Sequence, residues 1–182
     1  MNSILTSIIL ASITTLFALQ MLRPFAIKVG LIDKPSKRKP HLGSVPLIGG
    51  LGMFLGVLVG LLITSHDFEA FLFYLLSSII IITTGVFDDY RNISVSIRFI
   101  IQVIVAIIIV FFGEISIYSL GFIFGDSEIT LSNWNYFFSI IAIVTAMNAV
   151  NMADGIHGLA GGNSLITFLA VGLIIVGLIN TI

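Results

Sequence analysis

The sequence predicts an all-α, polytopic transmembrane helical bundle of about six spans with its N-terminus outside. Three observations predict it. Of 182 residues, 58% are hydrophobic and only 9% charged, with a mean hydropathy of +1.17. Soluble domains carry about 25% charged residues, so this apolar surplus calls for lipid as its solvent. Charge-poor runs recur at about the 20-residue length that crosses a bilayer. Finally, all eight Lys and Arg residues fall on one side of the runs, seven between alternate runs and Arg98 at the start of the fourth.

The runs are residues 3–22, 44–64, 70–87, 95–113, 134–152 and 159–181. The first has no basic residue before it and no small-residue cleavage pattern, so it reads as a retained helix rather than a signal peptide. The second carries Gly52, Gly56 and Gly60, a stripe at four-residue spacing that lets helices approach closely. Full length in the fourth requires Arg98 to extend along the helix toward the headgroups. The fifth opens on Asn133, Trp134, Asn135 and Tyr136, an interfacial belt.

Orientation follows from the loops. Arg23, Lys28, Lys34, Lys37, Arg38 and Lys39 lie between the first two runs, Arg91 between the third and fourth, and Arg98 at the start of the fourth. The other two loops hold only His66, Asp67, Glu69, Glu114, Asp126 and Glu128 as ionisable charges. The basic side is cytoplasmic by the positive-inside rule. Three cytoplasmic loops are expected, at about 23–43, 88–94 and 153–158, within a single transmembrane domain over residues 1–182. Zero cysteines exclude disulfides and thiolate metal sites, and a net charge of −1 gives no field for nucleic acid.

Three polar segments share that face: "DKPSKRKPHLGSVPLIGG" (33–50), "GVFDDYRNISVSIR" (85–98) and "NAVNMADGIHGLAGG" (148–162). Asp88 and Asp89, adjacent at a membrane helix end, need a compensating cation. Mg²⁺ held by one or two carboxylates plus substrate phosphates supplies one; a solvated helix end with Arg91 as partner is the plainer alternative. Asn148, Asn151 and Asp154 recur every three residues, so on a helix they share one face. They suit a phosphate, sugar or base, or else serve as interhelical glue. Gly155, Gly158, Gly161 and Gly162 are expected to break the helix there. His157 alone is a hydrogen-bonding residue before it is a catalyst. The basic cluster of Lys34, Lys37, Arg38 and Lys39 with His41 is either a phosphate landing site or a topology and headgroup signal. Pro35, Pro40 and Pro46 keep it extended.

Together these segments resemble the polyprenyl-phosphate N-acetylhexosamine-1-phosphate transferases, the superfamily that includes the phospho-MurNAc-pentapeptide translocase. The first resembles the family's D-x-P-x-x-R-K-x-H…P-x-x-G-G signature. "FDDYRNIS" resembles its paired-aspartate motif, and "NAVNMADGIHGLAGG" its N-x-x-N-x-x-D-G-x-D-G-L motif. The resemblance covers roughly Asp33 to Gly162. It implies transfer of a sugar 1-phosphate from a UDP-N-acetylhexosamine to undecaprenyl (polyprenyl) phosphate, with release of UMP. That is a first membrane step of cell-wall polysaccharide synthesis, serving lipopolysaccharide or teichoic acid, in the cytoplasmic (inner) membrane. By motif, Asp88 and Asp89 become metal-associated and acceptor-activating carboxylates for Mg²⁺, with Mn²⁺ as the alternative. Asp154 joins them in catalysis and, with Asn148 and Asn151, faces the nucleotide sugar. Arg38, Lys39 and His41 lie near phosphate. A homodimer is a further expectation.

Two residues depart from the pattern: His157 stands where the family usually has a second aspartate, and Asn92 where it often has another acid. His157 remains a substrate-binding candidate through its hydrogen bonds. Family members have ten or eleven spans, with a later aspartate motif and a histidine-rich loop. The resemblance therefore implies either the N-terminal part of such a transferase or a shortened relative that binds lipid phosphate or nucleotide sugar without turnover. A small ion-coupled transporter is the remaining class, disfavoured because its carboxylates belong near the bilayer midplane.

Overall fold

A computed structural model of the chain describes residues 2–33, 45–64, 68–123, 125, 127–153 and 159–181. These residues form an all-α membrane bundle. The helices are α1 (Asn2–Val29), α2 (Gly49–Thr64), α3 (Phe68–Arg91), α4 (Val95–Phe111), α5 (Asn135–Ala153) and α6 (Leu159–Thr181). Each packs on the next along the chain. α1, α3 and α5 are long and apolar enough to cross a bilayer by themselves, and α2, α4 and α6 contribute shorter apolar helices, α4 carrying Arg98 and Gln102 near its start. The interior is thin. Val105, Ala106 and Val110 of α4 are buried between its neighbours, whereas large side chains such as Leu16, Phe168 and Leu173 are exposed. A hydrocarbon solvent makes that exposure cheap, because lipid tails are as apolar as leucine.

α1 and α2 meet through the glycine stripe. A methyl group added at Gly56 would overlap the Thr15 hydroxyl and the Ala11 carbonyl, and one at Gly52 would run into Leu19. The absent side chains let the two backbones touch. Close packing of the second span thus follows from the four-residue spacing.

The expected loop at 23–43 is shorter than the sequence suggested. α1 continues through Pro24 and Lys28 to Val29, because Arg and Lys are good helix formers that can carry their charges out to the interface. It then stops on Gly30, whose φ of +78° is a left-handed conformation that suits glycine. The Gly30 amide donates to Ile27 and the Leu31 amide to Ala26, at 3.3 and 2.9 Å. This Schellman arrangement turns Leu31 back onto Ala26 and Ile48, with Val86 of α3 packed alongside. Next come two short strands, β1 (Ile32–Asp33) and β2 (Val45–Pro46), paired antiparallel with Asp33 opposite Val45. That pairing is why α2 starts at Gly49 and not at 44. Both ends of the basic segment are thus pinned against α3, near Val86.

α3 also outruns its expected limit and ends at Arg91, so Asp88 and Asp89 are helical and the loop shrinks to residues 92–94. Asn92 closes the helix with φ +50°, its backbone amide donating a hydrogen bond to the Asp88 carbonyl at 2.7 Å. Asparagine tolerates that conformation better than most residues. The departure at Asn92 thus has a backbone use. Ser94 then caps α4, its hydroxyl accepting from the Ile97 amide. Of the four glycines expected to break the helix, Gly155 and Gly158 lie outside the described residues, between the end of α5 and the start of α6, whereas Gly161 and Gly162 lie inside α6, a placement that membrane helices tolerate.

At the opposite end, residues 118–121 pair with residues 129–131, Ser119 bridging Thr130. This pair is tied to α5 by Ser139, which accepts from the Ile117 amide and donates to the Asn135 carbonyl, at 2.7 and 2.6 Å. Trp134 is exposed and edge-on to Phe137, whereas Asn135 is buried and belongs to the interior.

Candidate active site

The tight turn from α3 to α4 builds the site. Asn92 reverses the chain and Ser94 restarts the helix, so α4 runs back along α3. Arg98, one turn into α4, then meets Asp88. Its Nη1 donates to Asp88 Oδ2 at 2.7 Å, with both side chains mostly shielded from solvent. Charge-assisted bonds of this length are among the stronger ones proteins make.

Arg98 and Gln102 are one helical turn apart on the same face of α4. Both line a cavity of about 680 Å³, a size suited to a small molecule or headgroup. Asp88 and Thr84 of α3 and Asn151 of α5 complete its polar part; Ile81, Ile101, Met147 and Phe168 form apolar walls. A second cavity of about 330 Å³ shares Tyr74, Ile81 and Met147 with the first and is lined mainly by apolar residues such as Met53, Val57 and Ile109, with Ser77 and Ser78 of α3 among them. A polar mouth thus opens onto an apolar cleft running between the helices.

The expected site residues separate into four groups. Asp88 and Asn151 are brought together at the cavity. Asp89 is exposed and does not line it, because successive helical positions are about 100° apart. Asn148 is turned to α4: its Nδ2 donates to Gln102 Oε1 at 2.7 Å and to the Val144 carbonyl at 2.9 Å. That is the interhelical-glue role, and it joins α4 to α5 directly beneath the cavity. Arg38, Lys39, His41, Asp154 and His157 lie outside the described residues.

Two cavity residues escaped the sequence reading. Arg98 was assigned only a snorkelling role, and Gln102 none. The available signal was their i, i+4 spacing on an otherwise apolar helix, since a polar group within a membrane segment calls for a partner or a ligand.

Among the described residues no three His, Cys, Asp or Glu side chains come together. Mg²⁺ does not require three, since one or two carboxylates and substrate phosphates suffice. Asp88, half-buried at the mouth of a cavity with room for a phosphate, fits that donor set.

Comparison with known proteins decides the family. The glycosyl transferase family 4 model matches residues 71–181, from α3 through α6. The chain belongs to glycosyl transferase family 4. Among family 4 proteins, undecaprenyl-phosphate alpha-N-acetylglucosaminyl 1-phosphate transferase of Escherichia coli K12 is 42% identical over 96% of the chain and 48% of its own length. The Yersinia pestis protein of the same name is 39% identical over 96% of the chain and 47% of its length. The chain spans about half the length of these curated relatives. No solved structure matches it. The family 4 match contains Asp88, Arg98, Gln102, Asn148 and Asn151, so the cavity lies wholly within the region the family shares.

Proposed function

We propose that the chain carries the phosphate-handling part of a sugar-1-phosphate transferase that joins N-acetylhexosamine 1-phosphate, from its UDP derivative, to undecaprenyl phosphate. The observation that carries this reading is the cavity itself, with a cation, a carboxylate and two amides at a mouth that opens onto an apolar cleft. A phosphate on a polyprenyl chain has the same division, a charged head on an apolar tail. The names of the relatives point to the same lipid.

On this reading the polar mouth faces the cytoplasm, where nucleotide sugars are found, in the inner membrane. A lipid phosphate oxygen attacks the sugar-bearing phosphorus of the UDP-sugar. A bond forms between that oxygen and phosphorus, the bond to the bridging oxygen breaks, and UMP leaves with the bridging oxygen. With a second pKa near 6, as for other phosphate monoesters, the lipid phosphate is already largely dianionic. Asp88 therefore need not act as a strong base. What the site must supply is alignment and charge neutralisation.

Arg98 offers a planar array of N–H donors to phosphoryl oxygens, and the apolar walls hold the first isoprene units. Asn151 faces the same space from α5 and presents an amide to the sugar or diphosphate. Asp88, with Asp154 as a further carboxylate, would hold Mg²⁺, which would neutralise diphosphate charge and improve UMP as a leaving group; Asp89, outside the cavity, is not part of that donor set. Arg38, Lys39 and His41 belong to the segment whose ends are pinned beside Val86, close in sequence to Asp88. His157 then contributes hydrogen bonds on the nucleotide-sugar side.

The test is formation of lipid-linked sugar phosphate and release of UMP by the full-length protein in membranes supplied with undecaprenyl phosphate and UDP-GlcNAc. Equal product formation by wild type and Asp88→Asn would overturn the proposal.

A further inference from the structure

The orientation of the Gln102 amide is decided by an atom that faces neither the cavity nor the solvent. The Val144 carbonyl can only accept, so the Asn148 atom beside it, at 2.9 Å, must be nitrogen. That nitrogen has two hydrogens. One goes to Val144, and the other goes to Gln102 at 2.7 Å, where the atom receiving it must be oxygen. The Gln102 Nε2 group is therefore the free end, and among the described residues it donates to none. Gln102 lines the cavity one turn from Arg98.

We infer that Gln102 is a ligand-contacting donor, held in its donating orientation by Asn148, and that with Arg98 it grips the phosphoryl oxygens of the substrate. This rests on the transferase reading and adds to it a neutral donor and a positioning residue. Arg98 supplies charge but is partly engaged by Asp88, whereas Gln102 supplies two N–H groups with no competing acceptor. The shared ligand chemistry is a phosphoryl oxygen, borne either by a polyprenyl phosphate or by the diphosphate of a nucleotide sugar.

The experiment measures binding to the full-length protein in nanodiscs with two separate probes, farnesyl phosphate and UDP-GlcNAc. Gln102→Leu removes the donor, while Gln102→Glu keeps the shape and the oxygen facing Asn148 but replaces the donor with an anion. A hydrogen bond to a charged group is worth about 1.5–3 kcal/mol, so each variant should bind at least one probe about tenfold more weakly. The weakened probe identifies the source of the phosphate. Should Gln102→Leu fail to fold, Gln102→Glu decides the matter alone.

Asn148→Leu should weaken the same probe, and in the Gln102→Leu background it should add nothing, because both changes remove one interaction. Fully additive losses would deny Asn148 its positioning role. Wild-type affinity for both probes in both Gln102 variants would overturn the inference and leave the transferase reading standing. Failure of the wild-type protein to bind either probe would overturn both.

Discussion

Arg98 reaches back across the α3–α4 turn to place Nη1 2.7 Å from Asp88 Oδ2. The two residues are ten positions apart in the chain, and the contact exists because residues 92–94 reverse the direction within a single turn. The pair has a structural use, neutralising a half-buried carboxylate, and a chemical one, presenting a cation and a carboxylate to the same cavity.

These uses are separable. Arg98→Gln and Asp88→Asn should each reduce lipid-linked product at least about 100-fold, a loss in the range of an electrostatic contact to the transferring group. The exchanged pair, Asp88→Arg with Arg98→Asp, should recover thermal stability but not activity. Recovery of both would make the pair a purely structural bridge.

Backbone conformation at Asn92 sets the direction of α4. Asn92→Gly should leave both stability and turnover near wild type. Asn92→Val, β-branched at a φ of +50°, should cost roughly 1–2 kcal/mol and lower activity by shifting Arg98. Equal melting temperatures for the Gly and Val variants in detergent would contradict this account.

Close packing of α1 on α2 predicts a graded response along the glycine stripe. Gly56→Val meets Thr15 and the Ala11 carbonyl and should destabilise by about 1–3 kcal/mol. Gly60→Ala, whose added methyl would stand 3.4 Å from Ala11 Cβ, should be close to neutral. Thermal unfolding of the two variants in the same detergent orders them.

Ser139 is a control remote from the chemistry. It is buried and joins the strand pair at 118–121 and 129–131 to α5 through the Ile117 amide and the Asn135 carbonyl. Ser139→Ala should cost about 1–2 kcal/mol by stranding the Ile117 amide, with kcat and KM for the UDP-sugar unchanged below the melting temperature. A selective loss of kcat would show that this far end of the bundle is coupled to the active site.

Much of this molecule was legible without coordinates. Hydropathy marks all six helices, and the Gly52–Gly56–Gly60 spacing marks the α1–α2 contact, because membrane length and helical period are local properties. The motif resemblance reached the family because those segments carry specific residues at specific spacings. Helix limits were less legible. α1 passes Arg23 and α3 takes in Asp88 and Asp89, since a charge at a helix end can extend into the headgroups without ending the helix.

Partners were the least legible of all. Composition alone determined that this chain lives in a membrane, run length marked where its helices lie, and periodicity determined which residues could share a face. Only the tertiary structure decided that Asp88 pairs with Arg98, that Asn148 serves Gln102, and that Asn151 rather than Asn148 lines the cavity. Periodicity fixes an angle around one helix axis, but a contact depends also on the rotation, tilt and register of a second helix. Those are set jointly by every side chain at the interface, so no single helix's sequence contains them.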